Sequence, residues 1–215
     1  MARNYAALTG KKIVKRVRSK HLQTAVVCVL GLGFCILVVC GMIRLVRENH
    51  EYITPVFGMV LAALGGWYAV YQFIRQMKVL RDVPNARVFR KYGTPDEIAR
   101  TISEESGSSL LESGQTLLTP SFIMKHGDYE SFMPSKDIVL MYRKEHRTNG
   151  VLDSVFLVCH DQYGDKFDYP FKLGKKHAGK MDFAVGEIVK HCPECRFGYT
   201  QENIRFVSQN AKPLN

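Results

Sequence analysis

Two long apolar segments, Leu22–Ile43 and Ile53–Ile74, constrain this chain more than any other feature of its sequence. Each segment is 22 residues long and contains no charged residue. An α-helix rises about 1.5 Å per residue, so either segment is long enough to cross the roughly 30 Å hydrocarbon core of a bilayer. The sequence therefore predicts a transmembrane hairpin in residues 22–74, followed by a folded domain.

The first apolar segment is expected to remain in the mature protein. The apolar region of a signal peptide usually has about 7–15 residues, which is shorter than this segment. No cleavage site of the small-x-small type follows it before the second segment, and Arg44 and Arg47 come next instead. We therefore interpret it as a membrane span and not as a signal peptide.

The distribution of charge predicts the orientation of the hairpin. The chain has a net charge of +10, of which residues 1–21 carry +7 and residues 75–91 carry +5. The loop Arg44–Tyr52 is neutral, and residues 92–215 carry –2. Short segments rich in Lys and Arg stay in the cytoplasm. We therefore expect a multi-pass protein of the cell membrane, with a basic tail (residues 1–21) and a C-terminal domain that are both cytoplasmic.

Anionic lipid headgroups explain the basic residues better than nucleic acid does. The excess charge lies beside the predicted spans, whereas the predicted domain is slightly acidic, so no nucleic-acid partner is expected. A basic residue near an anionic membrane surface contributes on the order of 1 kcal/mol to binding. The predicted headgroup-binding residues are Lys11, Lys12, Lys15, Arg16, Arg18, Lys20, Arg75, Lys78, Arg81, Arg87, Arg90 and Lys91.

Small residues recur along one face of each predicted span. They are Cys28, Gly31 and Cys35 in the first span, and Gly58, Ala62 and Gly66 in the second. Small side chains let helices approach closely in a membrane. Two alternatives follow: the two stripes pack against each other within one hairpin, or one of them mediates homodimerisation. Neither span contains Asp, Glu, Lys, Arg or His, which argues against a transporter, although an accessory subunit of an oligomeric channel or transporter remains an alternative.

Helix signals continue after the second span. The juxtamembrane segment, residues 75–91, is predicted to stay helical to about Val83 and to stop near Pro84. A second helix is predicted from Pro95 to about Glu104. Thr94 is a suitable N-cap for that helix, and Glu97 three residues later completes a capping box.

Residues 92–215 are predicted to form an α+β domain. Strands are predicted at Thr116–Met124 (one bent strand or two short ones), Asp137–Lys144, Ser154–His160, Lys166–Phe171 and Arg196–Tyr199. The turn signals Thr148-Asn149-Gly150 and Tyr163-Gly164-Asp165 join three of these strands into an antiparallel meander. A helix over Lys175–His191 and a short one after Thr200 complete the domain. The expected fold class is a two-helix transmembrane hairpin followed by an α+β domain with a mainly antiparallel sheet and flanking helices.

Three motifs in the predicted domain carry a family resemblance: Gly93-Thr-Pro-Asp-Glu-Ile98, Asp137-Ile138 leading to Tyr142, and the ending from Cys192-Pro193 to Gly198-Tyr199-Thr200-Gln201-Glu202-Asn203. In these motifs the chain resembles a group of uncharacterised two-span membrane proteins of Gram-positive bacteria. The resemblance implies architecture and location only. A sheet closed by a C-terminal amphipathic helix would make the domain pleckstrin-homology-like.

Few residues suggest chemistry. Cys192 and Cys195 have the spacing of a redox pair or of half a zinc site, and a zinc- or redox-dependent domain is therefore an alternative function. Cys159, His160 and Asp161 are adjacent in a predicted strand, where neighbouring side chains point to opposite faces and cannot form a triad. We expect a non-enzymatic binding module without a cofactor, whose partner is the lipid bilayer, another protein or a further copy of the chain.

Overall fold

A computed structural model describes residue 5 and residues 8–49, 53–113, 115–174 and 179–214. These residues form two compact units. The hairpin unit lies within Val14–Ala86, and the domain unit lies within Met1–Ile13 and Arg87–Asn215. The C-terminal part of the domain unit therefore begins at Arg87, inside the segment that the sequence predicted to be juxtamembrane.

Two long apolar helices provide most of the hairpin unit. Helix α1 spans Gly10–Asn49 and helix α2 spans Ile53–Arg81. Both are long and apolar enough to cross a membrane. Helix α2 ends two residues before the predicted Val83, and a 3-10 helix follows over Val83–Asn85 with Pro84 in its first turn. Proline is tolerated there because the first turn needs no backbone N–H donor.

The N-terminal segment belongs to the domain unit and not to a separate tail. The Tyr5 hydroxyl lies 2.9 Å from Nδ1 of His126, and the Ser103 hydroxyl donates to the Tyr5 carbonyl at 3.0 Å. The backbone N–H of Gly10 donates to Asp96 Oδ1 at 3.1 Å. A carboxylate thus accepts from a free N–H at the start of α1, where the helix dipole favours negative charge.

Two helices open the C-terminal part of the domain unit. Helix α3 spans Arg87–Tyr92 and was not predicted, whereas α4 spans Pro95–Glu105 as expected. The predicted capping box is confirmed: Glu97 N–H donates to Thr94 Oγ1 at 3.3 Å, and Thr94 N–H donates to Glu97 Oε2 at 2.7 Å. The hydrogen bond from the Thr94 backbone N–H lowers the pKa of the Glu97 carboxyl. A 3-10 helix over Ser106–Ser108 follows α4.

The first sheet is an antiparallel meander of four short strands. They are β1 (Leu111–Ser113), β2 (Thr116–Leu118), β3 (Phe122–Lys125) and β4 (Asp128–Pro134), in that spatial order. The predicted segment Thr116–Met124 is thus two strands separated at Pro120, the second of the two alternatives. Strands β1 and β4 were not predicted.

The second sheet contains the predicted three-strand meander. Strands β5 (Ile138–Thr148), β6 (Val151–Asp161) and β7 (Lys166–Phe171) are antiparallel neighbours, which confirms the prediction. Asn149 and Gly150 both have positive φ, as a tight two-residue hairpin turn requires. Strand β8 (Arg196–Phe197) pairs with β5 in parallel, so this sheet is mixed.

Alternating side chains of the second sheet enter two different cores. Met141 and Leu157 belong to a cluster that includes Ile123 and Met133 of the first sheet and Ile188 of helix α5 (Lys180–His191). Side chains on the opposite face, Leu140, Tyr142 and Val158, pack with Val207 of helix α6 (Gln201–Asn210). The period of two along a strand therefore places the second sheet between the first sheet and α6.

The last two helices differ from prediction at their starts. Helix α5 begins at Lys180, and of the predicted start at Lys175, residues 175–178 lie outside the described residues. Helix α6 begins after its N-cap Thr200, whose side chain accepts from Asn203 N–H at 3.1 Å. It extends to Asn210, further than the short helix expected from the sequence.

Candidate functional site

A cavity of about 520 Å³ in the domain unit is the candidate functional site. Its volume lies in the range typical of small-molecule pockets, roughly 300–1,000 Å³. The walls come from α3, α4, β4, the β6–β7 turn, the end of α5 and the 3-10 helix Ser135–Asp137. The lining includes the aromatic residues Tyr92, Phe132 and Tyr163, the hydroxyl residues Thr101, Ser121 and Ser135, and the polar or charged residues Lys91, Lys136, Asp137, Gln162 and His191.

One wall of the cavity contains a buried ion-pair network. The ammonium group of Lys91 donates to Asp161 Oδ2 at 2.6 Å and also pairs with Asp165. The side chains of Lys91 and Asp161 are only 1% and 0% exposed. Arg87 adds a second cation to the network, because its Nε lies 2.7 Å from Asp165 Oδ2. Two cations and two carboxylates therefore compensate each other where a single buried charge would be unstable.

Asp161 is held by several donors at once. The Tyr92 hydroxyl donates to Oδ2, and the backbone N–H groups of Tyr163 and Asp165 donate to Oδ1 at 3.0 and 2.7 Å. Burial and the neighbouring Asp161 carboxylate raise the pKa of Tyr92, so its hydroxyl keeps its proton and remains a donor. The β6–β7 turn is therefore fixed to α3.

Asp137 differs from the two carboxylates of this network because it has no ion pair among the described residues. Its Oδ1 accepts a hydrogen bond from Gln162 Nε2 at 2.8 Å. Burial raises the pKa of Asp137, the nearby Lys136 opposes that shift, and Asp161 adds to it. Partial burial without a paired cation destabilises an ionised carboxylate. Asp137 is therefore the lining residue that would gain most from a cationic ligand.

Among the described residues, the hydroxyl of Ser135 has no hydrogen-bond partner, although the residue is only 1% exposed. Buried hydroxyl groups are normally hydrogen-bonded, since an unmet one costs about 1–3 kcal/mol. Ser121 is different, because its hydroxyl donates to Glu105 Oε1 at 2.6 Å. Ser135 thus lines the cavity, but its hydroxyl oxygen is itself buried.

The C-terminal segment reaches the same wall through Gln162. The backbone N–H of Lys212 donates to the Gln162 carbonyl at 2.8 Å, and the Lys212 ammonium donates to Gln162 Oε1 at 2.6 Å. The amide of Gln162 therefore accepts from Lys212 and donates to Asp137. This chain of hydrogen bonds orients the Asp137 carboxylate.

Lys91, one of the predicted headgroup-binding residues, is not available to a lipid headgroup in the structure. Its side chain is buried between Asp161 and Asp165 and cannot reach a lipid. The ion pairs stabilise it there because they offset the cost of burying its charge. The other eleven predicted residues are exposed, as a headgroup-binding role requires: Lys11, Lys12, Lys15, Arg16, Arg18, Lys20, Arg75, Lys78, Arg81, Arg87 and Arg90. For these, headgroup binding stays a prediction.

The predicted helix-packing residues have different surroundings within the hairpin unit. A Cβ atom on Gly58 would lie 2.8 Å from the Met42 side chain, and one on Gly66 would lie 3.9 Å from Cys35. Ala62 is buried, whereas a Cβ atom on Gly31 would meet nothing within 4 Å. Cys28 is partly exposed. The second stripe thus faces α1 at two points, and Gly31 in the first stripe does not contact α2.

The cysteine pair near the end of α5 lies in apolar surroundings. Cys195 is buried, and Cys192 Sγ donates to the Ile138 carbonyl at 2.7 Å. Burial raises the pKa of Cys192 and raises that of Cys195 to about 12. Redox and metal-binding cysteines react as thiolates, which a raised pKa disfavours. Among the described residues, no group of three His, Cys, Asp or Glu side chains could hold a metal ion.

Cys159, His160 and Asp161 point to separate surroundings, as expected for neighbours in a strand. Cys159 lies in the core between the sheets, and Asp161 contacts Lys91. The His160 ring lies beside Tyr142, with 5.8 Å between ring centroids, and neither ring nitrogen has a hydrogen-bond partner in the described part of the chain. Burial lowers the pKa of His160 and thus favours its neutral form.

The sequence contained no clear signal for this cavity. Ser135, Lys136 and Asp137 follow Pro134 between two strands, and this composition is common in ordinary turns. Gln162 and Tyr163 are in a predicted turn more than twenty residues away, and Lys91 is more distant still. No protein-family model matches this chain, and no curated protein and no solved structure is similar to it.

Proposed function

We propose that this chain is a membrane-anchored binding module whose domain unit holds a small polar ligand in the cavity. The single observation that carries the proposal is a partly buried carboxylate, Asp137, that lines the cavity and has no ion pair among the described residues. This carboxylate would gain a hydrogen bond from a ligand. A cavity with a few convergent polar groups is the usual form of a small-molecule site.

The proposed anchor is the helical hairpin. Helices α1 and α2 would cross the cell membrane, with both chain ends in the cytoplasm, because the basic segments flank the pair and the loop between them is neutral. The eleven exposed basic residues would contact anionic headgroups on that side. These contacts would hold the hairpin at a fixed depth in the membrane.

The order of elements in the domain unit supports a pleckstrin-homology-like arrangement. A four-strand meander is followed by a three-strand meander and then by α5, which packs into the core between the sheets. Because fold does not determine function, only the cavity supports the proposed binding function.

A blocked cavity tests the proposed function. Thr101 lines the cavity and is partly exposed, so Thr101→Trp would place an indole ring in it. We expect the full chain in detergent to bind at least one member of a panel of amines, amino acids, sugars and nucleotides, as detected by ligand-observed NMR. The Thr101→Trp variant should bind that compound with an affinity at least about tenfold lower, since the indole ring would occupy the site.

The matched control is Thr148→Trp at the exposed end of β5, which should bind the compound as well as the unmodified chain does. If no compound binds, or if Thr101→Trp binds each compound as tightly as Thr148→Trp does, the cavity is not a ligand site and the proposed function is wrong.

A further inference from the structure

The chemistry of the cavity walls restricts the kind of ligand. Asp137 is partly buried, and its only side-chain hydrogen bond among the described residues is the one from Gln162. The second carboxylate oxygen of Asp137 therefore accepts no hydrogen bond from a side chain of the described residues. A positively charged donor would satisfy that oxygen and also supply the missing counter-charge.

The aromatic wall is compatible with a cation. The Lys91 ammonium lies 5.1 Å from the centroid of the Tyr163 ring and 5.7 Å from that of Tyr92. These distances are typical of cation–π contacts. The charge of Lys91 does not make the cavity cationic, because Asp161 and Asp165 both pair with it. Asp137 is thus the carboxylate of this wall that has no ion pair among the described residues, although the charges of Lys136 and Lys212 act on it from further away.

The cavity also presents groups that suit an anion at its solvent side. Lys136 and His191 both line it, and both are exposed. The Lys136 ammonium can pair with an anionic group with little desolvation cost, because its charge remains in contact with water. The imidazole of His191 can donate a hydrogen bond to the same group.

We propose, on the basis of the binding function above, that the ligand is a zwitterion whose primary ammonium group pairs with Asp137 and whose anionic group contacts Lys136 and His191. Phosphoethanolamine has this chemistry, either as a free molecule or as the headgroup of a phospholipid. A primary ammonium has three N–H donors and can therefore bond to the carboxylate directly. A quaternary ammonium has none, so the site should discriminate against phosphocholine.

The first test measures free phosphoethanolamine binding to the full chain in detergent by calorimetry. Asp137→Asn keeps the size of the side chain and an acceptor for Gln162 but removes the charge. We expect it to weaken binding by about tenfold or more, as the loss of one partner in a partly buried charge pair does. Phosphocholine should bind the unmodified chain more weakly than phosphoethanolamine does.

The control is Asp153→Asn, which removes the same charge from an exposed carboxylate near His146 on the β5–β6 hairpin. It should bind phosphoethanolamine as the unmodified chain does. Equal binding by Asp137→Asn and Asp153→Asn would overturn the assignment of Asp137. Equal binding of phosphocholine would overturn the primary-ammonium requirement.

The pH dependence gives an independent readout. The proposed contact needs an ionised Asp137, so affinity should fall as the pH decreases toward the raised pKa of this group, above its ordinary value of 3.8. The charged and titratable groups around Asp137 are Lys136, Asp161, Lys212, Lys91, Tyr92, Tyr163 and His191. Asp153→Asn retains all of them and should keep the same slope. In the Asp137→Asn variant, affinity should no longer fall at acid pH through protonation of residue 137. An unchanged dependence of affinity on pH in this variant would contradict the proposal.

The source of the ammonium group is tested with bilayer nanodiscs. If the lipid headgroup is the ligand, nanodiscs containing phosphatidylethanolamine should compete with free phosphoethanolamine, and nanodiscs of phosphatidylcholine should not. If the free molecule is the ligand, neither lipid should compete. Should phosphoethanolamine fail to bind in every format while another compound binds and is sensitive to Thr101→Trp, the ligand class is wrong but the binding function stands.

Discussion

At the scale of single residues, Lys91 shows how an interior can accept a charge. Its ammonium group is 2.6 Å from Asp161 and also contacts Asp165, and the aromatic rings of Tyr92 and Tyr163 cover it. Such a pair replaces water by fixed partners, and removing one partner leaves the other charge buried and unpaired.

Replacement of Lys91 by methionine should therefore destabilise the domain unit strongly. The side chain of Met has nearly the same length but no charge, so Asp161 would keep its backbone donors and lose its counter-ion. We expect a loss of about 3–5 kcal/mol in the free energy of unfolding, measured by thermal denaturation of the full chain in detergent.

Lys144→Met is the matched control for this prediction. Lys144 pairs with Asp168 at 3.0 Å, but Lys144 is exposed and Asp168 is partly exposed to solvent, and solvent-accessible ion pairs contribute little to stability. Equal shifts in melting temperature for the two variants would show that burial of Lys91 is not what makes its ion pair important.

At the scale of elements, the last turns of α2 combine the end of an apolar helix with three exposed cations. Arg75, Lys78 and Arg81 are spaced three residues apart and therefore lie on one side of the helix. If α2 spans the membrane as proposed, these residues reach the cytoplasmic headgroup layer, where anionic lipids concentrate around basic side chains.

Replacing Arg75, Lys78 and Arg81 together by glutamine should reduce the anionic lipid that purifies with the protein. Mass spectrometry of the co-purified lipids would measure the ratio of anionic to zwitterionic species. The control removes the same three charges from the exposed β5–β6 hairpin, by Arg143→Gln, Lys144→Gln and Arg147→Gln. A similar loss of anionic lipid in both triple variants would contradict specific headgroup binding by α2.

At the scale of the whole molecule, the proposed topology places both chain ends on one side of the membrane. Arg47 is exposed near the end of α1, on the side of the predicted outer loop, and Gln209 is exposed near the end of α6. In a Cys40→Ser background, which removes an exposed native thiol, cysteines introduced at these two positions report the two sides.

An impermeant maleimide should label the Arg47→Cys variant in intact cells. It should label the Gln209→Cys variant only after the membrane is made permeable, because the lipid bilayer excludes the charged reagent. Labelling in the opposite order would mean that the hairpin is inverted. Labelling of both variants in intact cells would contradict a two-span arrangement.

Local signals determined the elements that the sequence could predict. The apolar segments of α1 and α2, the capping box of Thr94 and Glu97 and the Asn149-Gly150 turn each depend on residues within a few positions of one another. The alternating pattern of β5–β7 is equally local. Strand β1 was missed because three residues are too few to show a period, and β4 because Asp128 and Pro134 at its ends resemble turn residues.

The sequence by itself thus determined the two apolar helices, the charge beside them and the antiparallel meander. Only the tertiary structure decided that Lys91 belongs to a buried ion pair and that Asp137, Ser135 and Tyr163 surround one cavity. The physical reason is separation along the chain: Lys91 and Asp161 are 70 residues apart, and their pairing leaves no periodic trace. A cavity arises where several elements fail to fill the space between them, which depends on packing and not on local propensity.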